Sequence, residues 1–383
     1  MKKLISCLSI VLFLVTSCNS SRDSDPYRIK DREDAPIQVS MEPQDGVFIF
    51  SEHFSSGELI RLSGCRVSNI EQVLPLPDGR FAIRGKVYSP SESSMTACVS
   101  LFSATGSLES MLVKVGNGPE EVVNAFDARY NPEKGTIDVL ASHGKEIVRY
   151  DLSTFRKSSV TPVDDKEIVV AGGIQPVGGG EMLVYKDMSY SGGKEYKVYL
   201  CDAMSGRILD RFLPLNKQVA ELLSHFDHKN NVSMAGEAAY FTEIYLPIVY
   251  RFDGESLRPF VGYRENKYSF PSDILIESGD DMMVLDRMAR ESGRIFFHTN
   301  YFLTAKHIYS TFQVGERVPY LNVICPEAST SRSYNEIKDD LCTGITRKCK
   351  DFAFRMVGSD DEYLFYMLDM EEEDNPVLLK LKE

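Results

Sequence analysis

The sequence predicts an all-β protein, namely a six-bladed β-propeller with four-stranded blades. The main observation is a strand–turn–strand pattern that recurs along the chain. The first strand of each copy ends at Phe102, Tyr150, Leu200 or Phe252. Successive copies are therefore 48, 50 and 52 residues apart. A period of about 50 residues with Gly and Asp turns is typical of four-stranded propeller blades. Long helical patterns are rare after the first residues, which favours the same fold class.

Length alone leaves other architectures open. The 383 residues could form two or three domains at ~150 residues each, and a β-rich protein of two domains is the alternative to a propeller. We favour one propeller domain over residues 37–383, because the repeats continue to the last strand pattern. The expected blades are residues 65–115, 122–162, 168–215, 230–263, 270–312 and 352–383. The fifth is the weakest, with Met282–Leu285 and Arg294–Phe297 as its strands.

Two strand patterns precede the first expected blade, at Gly46–Phe50 and Glu58–Leu62. In propellers, a strand from one chain terminus usually completes the blade that the other terminus builds, which removes an exposed sheet edge. We therefore expect the terminal strands to close the last blade together.

An insert at residues 313–351 separates the last expected blade from the fifth. Within it, Ser333 and Glu336 have the spacing of a capping box, in which each side chain satisfies a backbone N–H at the start of a helix. This spacing predicts one short helix between residues 325 and 350, ending near Gly344.

The first 17 residues have the pattern of a secretory signal peptide. Lys2 and Lys3 give a positive start, and Leu4–Val15 is an apolar run interrupted only by two serines. A helix of that length spans ~18 Å, which is short of the ~30 Å hydrocarbon core of a bilayer. The run therefore indicates export and removal of residues 1–17 rather than a membrane span.

The signal ends in Leu14-Val15-Thr16-Ser17-Cys18, which resembles the lipobox of bacterial lipoproteins. The resemblance implies cleavage before Cys18, a diacylglyceryl thioether on its sulfur and acylation of the new amino group. Several acyl chains give stable membrane anchoring. Residues 18–36, rich in Ser, Asp and Arg, are then expected to be a flexible tether. The expected location is the bacterial outer membrane or the periplasmic side of the envelope; the alternative is an ordinary signal peptide followed by a cysteine.

The charge balance excludes one class of partner. There are 56 acidic and 43 basic side chains, and loss of Lys2 and Lys3 with the signal takes the net charge from −13 to −15. A surface this acidic repels phosphate backbones, so nucleic acid is not expected as a partner. The expected partners are the membrane, through the lipid, and an unidentified protein or glycan. The chain has no Trp, so a glycan site would depend on tyrosines such as Tyr185 and Tyr190.

A turn motif lies between the first two repeats. Val113–Gly116 reads as a strand entering the turn Gly116-Asn117-Gly118-Pro119-Glu120-Glu121. Gly116 and Gly118 permit positive φ, and Pro119 fixes its own φ, so the residues indicate a chain reversal between blades. The segment resembles a family of six-bladed β-propeller lipoproteins common in Bacteroidetes, whose motif is Gly-x-Gly-Pro-x-Glu; the family's Glu falls on Glu121. The resemblance implies a fold and a compartment, and no catalytic residue.

Six cysteines remain once Cys7 is removed with the signal and Cys18 is acylated. Cys342 and Cys349 are seven residues apart and Cys325 is nearby in sequence, so we expect one disulfide inside the insert, in a compartment that permits disulfides. The pairing that we single out is Cys342 with Cys349. The sequence does not choose among the other pairings. Cys98 and Cys201 fall in strand patterns, where cysteine packs as a small hydrophobic residue.

No metal site or cofactor is predicted. His225 and His228 are the one close histidine pair, but the segment lacks the Glu of a His-Glu-x-x-His site, and Asn230 and Asn231 indicate a loop. The other histidines, at 53, 143, 298 and 307, are scattered, although a propeller could gather them at its axis. Acidic clusters at 280–281, 360–362 and 371–374 are expected to be solvated turns.

The sequence therefore predicts a lipid-anchored envelope propeller that acts as a binding or protein-interaction module, with no assignable biochemical activity. The alternative is an envelope enzyme, a lyase or hydrolase, with its site at the axial mouth of the propeller. Titratable groups with perturbed pKa values gathered at the axis would favour the enzyme. An axis lined by apolar and backbone groups would favour the binding module.

Overall fold

The structure is a computed structural model that describes residues 29–88, 97–164, 166–186, 195–215, 232–243, 246–269, 282–315, 318–349, 354–369 and 375–383. Within these ranges the chain is mostly β-strand, arranged in seven sheets, which confirms the predicted all-β class. None of the helices in these ranges is long and apolar enough to cross a membrane.

Residues 29–61 run along the outer edges of the sheets, and we call this segment the amino-terminal belt. Its elements are α1 (Ile29–Asp34), β1 (Ile37–Val39), β2 (Val47–Ile49), α2 (Phe50–His53) and β3 (Ser56–Arg61). Each of the three strands joins a different sheet.

The first three sheets follow in chain order. Sheet 1 contains β4 (Arg66–Pro75), β5 (Phe81–Tyr88), β6 (Ala97–Phe102), β7 (Leu108–Val115) and β8 (Glu121–Val122). Sheet 2 contains β9 (Ala125–Asn131), β10 (Thr136–Ala141), β11 (Glu146–Asp151) and β12 (Arg156–Pro162). Sheet 3 contains β13 (Ala171–Gly178), β14 (Glu181–Lys186), β15 (Tyr196–Asp202) and β16 (Ile208–Pro214).

The other four sheets include the strands of the belt. Sheet 4 contains β17 (Val232–Ala235), β18 (Ala238–Glu243), β19 (Leu246–Phe252), β20 (Leu257–Tyr263) and β1, and helix α3 (Met282–Ser292) follows it. Sheet 5 contains β21 (Ile295–Leu303), β22 (Ile308–Val314), β23 (Val318–Cys325) and β24 (Thr330–Tyr334). Sheet 6 contains β25 (Glu336–Lys338), β26 (Thr346–Lys348) and β2. Sheet 7 contains β27 (Phe354–Ser359), β28 (Tyr363–Leu368), β29 (Val377–Lys382) and β3.

The first strands of sheets 1, 2, 3, 4, 5 and 7 surround an axis. Going round, β4, β9, β13, β17, β21 and β27 each contact the next, and β27 contacts β4 again. Such closure of radially arranged sheets is the arrangement of a β-propeller. Sheet 6 packs between sheets 5 and 7, because Phe48 of β2 and Ile337 of β25 share one hydrophobic cluster with Tyr309 and Tyr366.

The prediction of six blades is wrong, because the structure has seven sheets. The additional sheet is sheet 6, which the chain builds from the belt and from two short strands of the insert. The predicted helix between residues 325 and 350 is wrong for the same reason. Ser333 pairs with Asn322 in sheet 5, and Glu336 pairs with Val47 in sheet 6, so neither residue caps a helix.

The limits of the fifth expected blade are also wrong. Met282–Leu285, interpreted as a strand, is the start of α3, and sheet 5 extends from 295 to 334 rather than ending at 312. A short apolar run does not distinguish a buried strand from one face of a helix, which explains the error.

The closure by terminal strands is confirmed for Glu58–Leu62, whereas Gly46–Phe50 contributes β2 to sheet 6 instead of closing the last sheet. β3 pairs antiparallel with β29 from Arg61 opposite Val377 to Ser56 opposite Lys382.

The recurring strand–turn–strand pattern is confirmed as the last hairpin of sheets 1 to 4. In sheet 2 the turn of this hairpin is held by Asp151, whose Oδ1 accepts hydrogen bonds from the amides of Ser153 and Thr154, at 2.9 and 2.8 Å.

A buried polar network holds sheet 2 together. The fully buried Asp138 carboxylate accepts hydrogen bonds from Thr136 Oγ1 at 2.6 Å and from Asn131 Nδ2 at 3.1 Å. Arg149 Nε lies 3.4 Å from Asp138 Oδ2, and its guanidinium also donates to Thr161 Oγ1 at 2.7 Å. Arg149 further donates to the carbonyl oxygen of Ala203, which ties sheet 2 to sheet 3.

Candidate functional site

A cavity of about 930 Å³ opens at the axis, where the first strand of each surrounding sheet ends and turns into the second. This volume is in the range of small-molecule binding sites. Backbone and side chains of sheets 1, 2, 3, 4, 5 and 7 line it. The lining residues used below are Gln72, Arg80, Arg129, Tyr130, Pro132, Glu133, Gln175, Ser233, Met234, Gly236, Glu237, Ser359, Asp360, Asp361, Glu362, Tyr363 and Lys380. We call it the axial cavity.

Arg129 of β9 joins three strands at the wall of the axial cavity. Its Nε donates to the carbonyl oxygen of Ile174 in β13 at 3.0 Å, and its Nη2 donates to that of Val232 in β17 at 2.9 Å. Asp127 Oδ2 lies 3.2 Å from the same Nη2. Burial lowers the pKa of the Arg129 guanidinium, and the Asp127 carboxylate opposes that shift. Arg129 therefore links sheets 2, 3 and 4, and its charge is paired with that of Asp127.

A second polar tie joins sheets 1 and 2 beside the cavity. Arg84 Nε donates to Gln72 Oε1 at 3.1 Å, and Gln72 Nε2 donates to the carbonyl oxygen of Ala128 at 3.1 Å. Glu71 Oε2 accepts from Arg84 Nη1 at 2.5 Å. Because each of these buried polar groups has a partner, the network fixes the wall of the cavity at little cost in desolvation.

Carboxylates surround the mouth of the cavity, and backbone amides hold three of them. Glu133 accepts from the amides of Gly179 and Gly180 at 2.7 and 3.1 Å, and these bonds lower its pKa. Asp361 Oδ1 accepts from the Gly236 amide at 2.5 Å. Asp360 Oδ1 accepts from two amides of its own turn, but burial raises the pKa of this carboxyl. Asp361 and Glu362 are exposed, as expected of a solvated turn, whereas Asp360 is half-buried.

The basic groups at the mouth have partners of their own. Arg80 donates to Asp78 Oδ2 at 2.7 Å and to Glu109 Oε2 at 3.3 Å. Lys380 Nζ lies 4.1 Å from the centre of the Tyr363 ring, which is a cation–π distance. The mouth therefore has a mixed polar surface whose charged groups are already oriented by contacts within the protein.

The lining of the axial cavity presents hydrogen-bonding groups and carboxylates. No histidine or cysteine is among the described residues that line the axial cavity. Within the described ranges, no group of three or more His, Cys, Asp or Glu side chains could hold a metal ion. A ligand would meet amide and carbonyl groups, carboxylates and the rings of Tyr130 and Tyr363, beside apolar side chains such as Pro77, Val177 and Met234.

Of the scattered histidines, the three whose side chains the structure describes do not line the axial cavity. His53 and His307 lie near each other, with ring centres 6.5 Å apart, where the β21–β22 turn of sheet 5 meets the end of sheet 7, and His307 Nδ1 is 2.6 Å from Glu383 Oε1. Burial, followed by the nearby His307, lowers the pKa of His53. His143 lies 3.1 Å from the side chain of Asn124. His225, His228 and the side chain of His298 lie outside what the structure describes.

The Gly116–Glu121 turn connects β7 to β8, which run parallel with Lys114 opposite Glu121. Glu121 Oε2 accepts from the Gly118 amide at 2.8 Å, beside Pro119. A Cβ added to Gly116 would lie 1.9 Å from that oxygen. Neither glycine has a positive φ, so the expected reason for glycine was wrong. A side chain at 116 would therefore displace the Glu121 carboxylate and break its hydrogen bond with the Gly118 amide. The turn lies outside the axial cavity.

Cys342 and Cys349 are free cysteines in the structure, so the disulfide between them is not formed there. Both pack against the hydrophobic cluster shared by sheets 5, 6 and 7. Cys349 Sγ is directed at the carbonyl oxygen of Tyr334, at 3.6 Å.

Cys18, the predicted site of lipid attachment, lies outside the described residues. Tyr185, considered for a glycan site, is buried in the core and cannot be reached by a ligand, and Tyr190 is not among the described residues.

The comparisons with known proteins agree with this fold. A protein of Bacteroides fragilis NCTC 9343 that was assigned as exported has a crystal structure similar to this chain, with a TM-score of 0.67, 15% identity, and coverage of 91% of this chain and 99% of that one. A member of the DUF4221 family from Bacteroides vulgatus ATCC 8482 has a TM-score of 0.51 and 8% identity, over 86% of this chain and 96% of that one.

No protein with a curated description matches the sequence. The family described as "Domain of unknown function (DUF4934)" matches residues 81–382, which include the Gly116–Glu121 turn and most of the lining of the axial cavity. Because the match extends over most of its length, this β-propeller chain belongs to the DUF4934 family.

Proposed function

We propose that the protein is a lipid-anchored binding module of the bacterial envelope that holds its ligand in the axial cavity. The observation that carries the proposal is the cavity of about 930 Å³, which five turns surround with oriented amides, carboxylates and two tyrosines. Propellers present loops around an axial opening on a rigid scaffold, and such loops are where ligands bind.

The proposed location depends on the amino terminus. The signal pattern of residues 1–17 and the lipobox ending in Cys18 support export and anchoring, and residues 18–36 would link the anchor to one propeller domain over 37–383. In this arrangement the flexible part of the tether ends before α1 rather than at residue 36, because α1 packs on β20 of sheet 4.

An envelope enzyme acting at the same mouth is the weaker proposal. Such an enzyme would need a nucleophile or a general base at the site. Among the titratable lining groups, Arg80 and Arg129 are held by ion pairs and Glu133 by backbone amides. Those contacts favour a fixed binding surface, with an envelope glycan or a short protein segment as the ligand.

Filling the mouth should abolish binding. Pro132 is an exposed lining residue of the β9–β10 turn, so Pro132→Trp places a large ring in the cavity without disturbing the core. We expect a glycan or peptide fraction from Bacteroides envelopes to raise the Tm of the wild type, since a ligand at 100 times its Kd stabilises a protein by about 2.7 kcal/mol. The same fraction should leave the Tm of Pro132→Trp unchanged.

Lys134→Trp is the matched control, because Lys134 is exposed on the same turn but does not line the cavity. It should respond to the fraction as the wild type does. Equal Tm shifts for both variants would place the ligand somewhere other than the axial cavity, and the absence of any stabilising fraction would count against a binding function.

A further inference from the structure

Three turns from different sheets meet over one side of the axial mouth. The β27–β28 turn of sheet 7 contains Asp361. The carbonyl oxygen of Asp361 accepts from the Ala305 amide, in the β21–β22 turn of sheet 5, at 2.9 Å. Its side-chain Oδ1 accepts from the Gly236 amide, in the β17–β18 turn of sheet 4, at 2.5 Å. Asp361 thus reaches past the neighbouring sheet 5 to sheet 4, which narrows the opening at that point.

The two ends of this contact differ in how firmly they are held. On the sheet 7 side, Asp360 Oδ1 accepts from the amides of Glu362 and Tyr363 at 2.9 and 2.7 Å, and the Leu303 amide donates to Ser359 Oγ at 3.2 Å. These bonds fix the conformation of the turn and aim the Asp361 carboxylate.

On the sheet 4 side, the contact falls on the tip of a hairpin. Ala235 pairs with Ala238, so Gly236 and Glu237 form a two-residue turn, and Gly236 has φ +59°. A Cβ built on Gly236 would meet no atom within 4 Å. Both residues of this tip are exposed, so the hairpin has room to move away from Asp361.

We propose that the hydrogen bond between Asp361 and Gly236 is a latch on the axial cavity, which holds the β17–β18 hairpin over the mouth and must open to admit a large ligand. A hydrogen bond to a charged acceptor contributes enough stability for the closed form to dominate. Its loss should therefore raise the population of the open form about tenfold or more. The inference rests on the cavity and on the contact across its mouth. It does not depend on the identity of a ligand, so it can fail while the proposed binding function holds, and the reverse is also true.

The test measures access to the cavity with a thiol reporter. Met234 lies in β17, one of the two strands of the hairpin, and lines the cavity, so Met234→Cys would place a thiol there. Its rate of modification is followed by mass spectrometry of the peptide that contains position 234, using a small and a bulky maleimide that are both uncharged. We expect Asp361→Ala to increase the rate with the bulky reagent about tenfold, and to change the rate with the small reagent much less. Asp361→Asn, which keeps a neutral acceptor, should give an intermediate rate.

Two controls separate a latch from a general loosening. Glu362 of the same turn pairs with Lys382 at 3.2 Å, and Lys382 does not line the cavity, so Lys382→Ala, which breaks this ion pair, should leave both rates unchanged. A Met204→Cys reporter lies outside the cavity on the exposed turn of sheet 3 and should be modified equally in all backgrounds. The proposal is overturned if Asp361→Ala leaves the bulky-reagent rate at position 234 unchanged, or if Lys382→Ala raises it as much.

Discussion

Asp138→Ala is expected to lower the free energy of unfolding by about 3–5 kcal/mol, because it leaves the buried Arg149 guanidinium without its counter-charge. Both side chains are almost completely buried, with exposed fractions of 0% for Asp138 and 3% for Arg149. The change also removes the acceptor of the hydrogen bonds from Thr136 and Asn131. Denaturant unfolding, followed by circular dichroism, measures the difference.

An exposed ion pair provides the control for this prediction. Glu167 pairs with Arg211, but their side chains are 41% and 37% exposed, so Glu167→Ala should cost only about 0–1 kcal/mol. The Asp138 network would not be important for stability if both substitutions lowered the free energy of unfolding by the same small amount.

Cys18→Ala is expected to convert the protein from a membrane-bound to a soluble form and to abolish its acylation, because the lipid would have no sulfur to attach to. A single acyl chain gives marginal binding, whereas several chains give stable anchoring, so the loss should be nearly complete. Labelling with a fatty acid analogue in a bacterial host, together with fractionation of the cells, measures both effects.

Cys7→Ala is the matched control, since Cys7 lies in the segment that export is expected to remove. It should leave both acylation and membrane association unchanged. If the Cys18→Ala protein is still acylated and still found in the membrane fraction, the lipoprotein proposal is wrong.

The propeller could be predicted because its hairpins repeat locally. The turns after Tyr150, Leu200 and Phe252 use an aspartate to bind the next backbone amides, so the same short pattern recurs at blade spacing. Such patterns act within a few residues and are visible in a sequence. The closure by terminal strands followed from the same repeats, because an unpaired edge in the last sheet requires a partner.

The seventh sheet could not be predicted because its partners are far apart in the chain. β2 pairs with β25 across almost 290 residues, with Val47 opposite Glu336. Each of its strands has three residues, which is too short for a periodic pattern. The capping-box spacing of Ser333 and Glu336 is a local signal, and here the pairing of distant strands overrides it.

The sequence predicted that a site would lie at the axial mouth, but it did not predict which residues line the axial cavity. Its residues come from five turns, and nothing in the sequence says that Arg129 reaches the carbonyl oxygens of β13 and β17. A usable signal did exist: Pro132-Glu133, Gly236-Glu237 and Asp360–Glu362 each follow the first strand of a sheet. Comparing that turn position between repeats would have collected most of the mouth residues. The acidic character of the chain carries no such information, because it is a property of the whole surface.

The most direct test of the proposed function is the ¹³C methyl NMR signal of Met234, recorded while the envelope fraction that raises the Tm is added. Met234 lines the axial cavity, and Met204, which is 56% exposed on the turn of sheet 3, serves as an internal control. The proposal predicts that the Met234 signal shifts with increasing ligand while the Met204 signal stays in place. A ligand that shifts Met204 and leaves Met234 unchanged would contradict it.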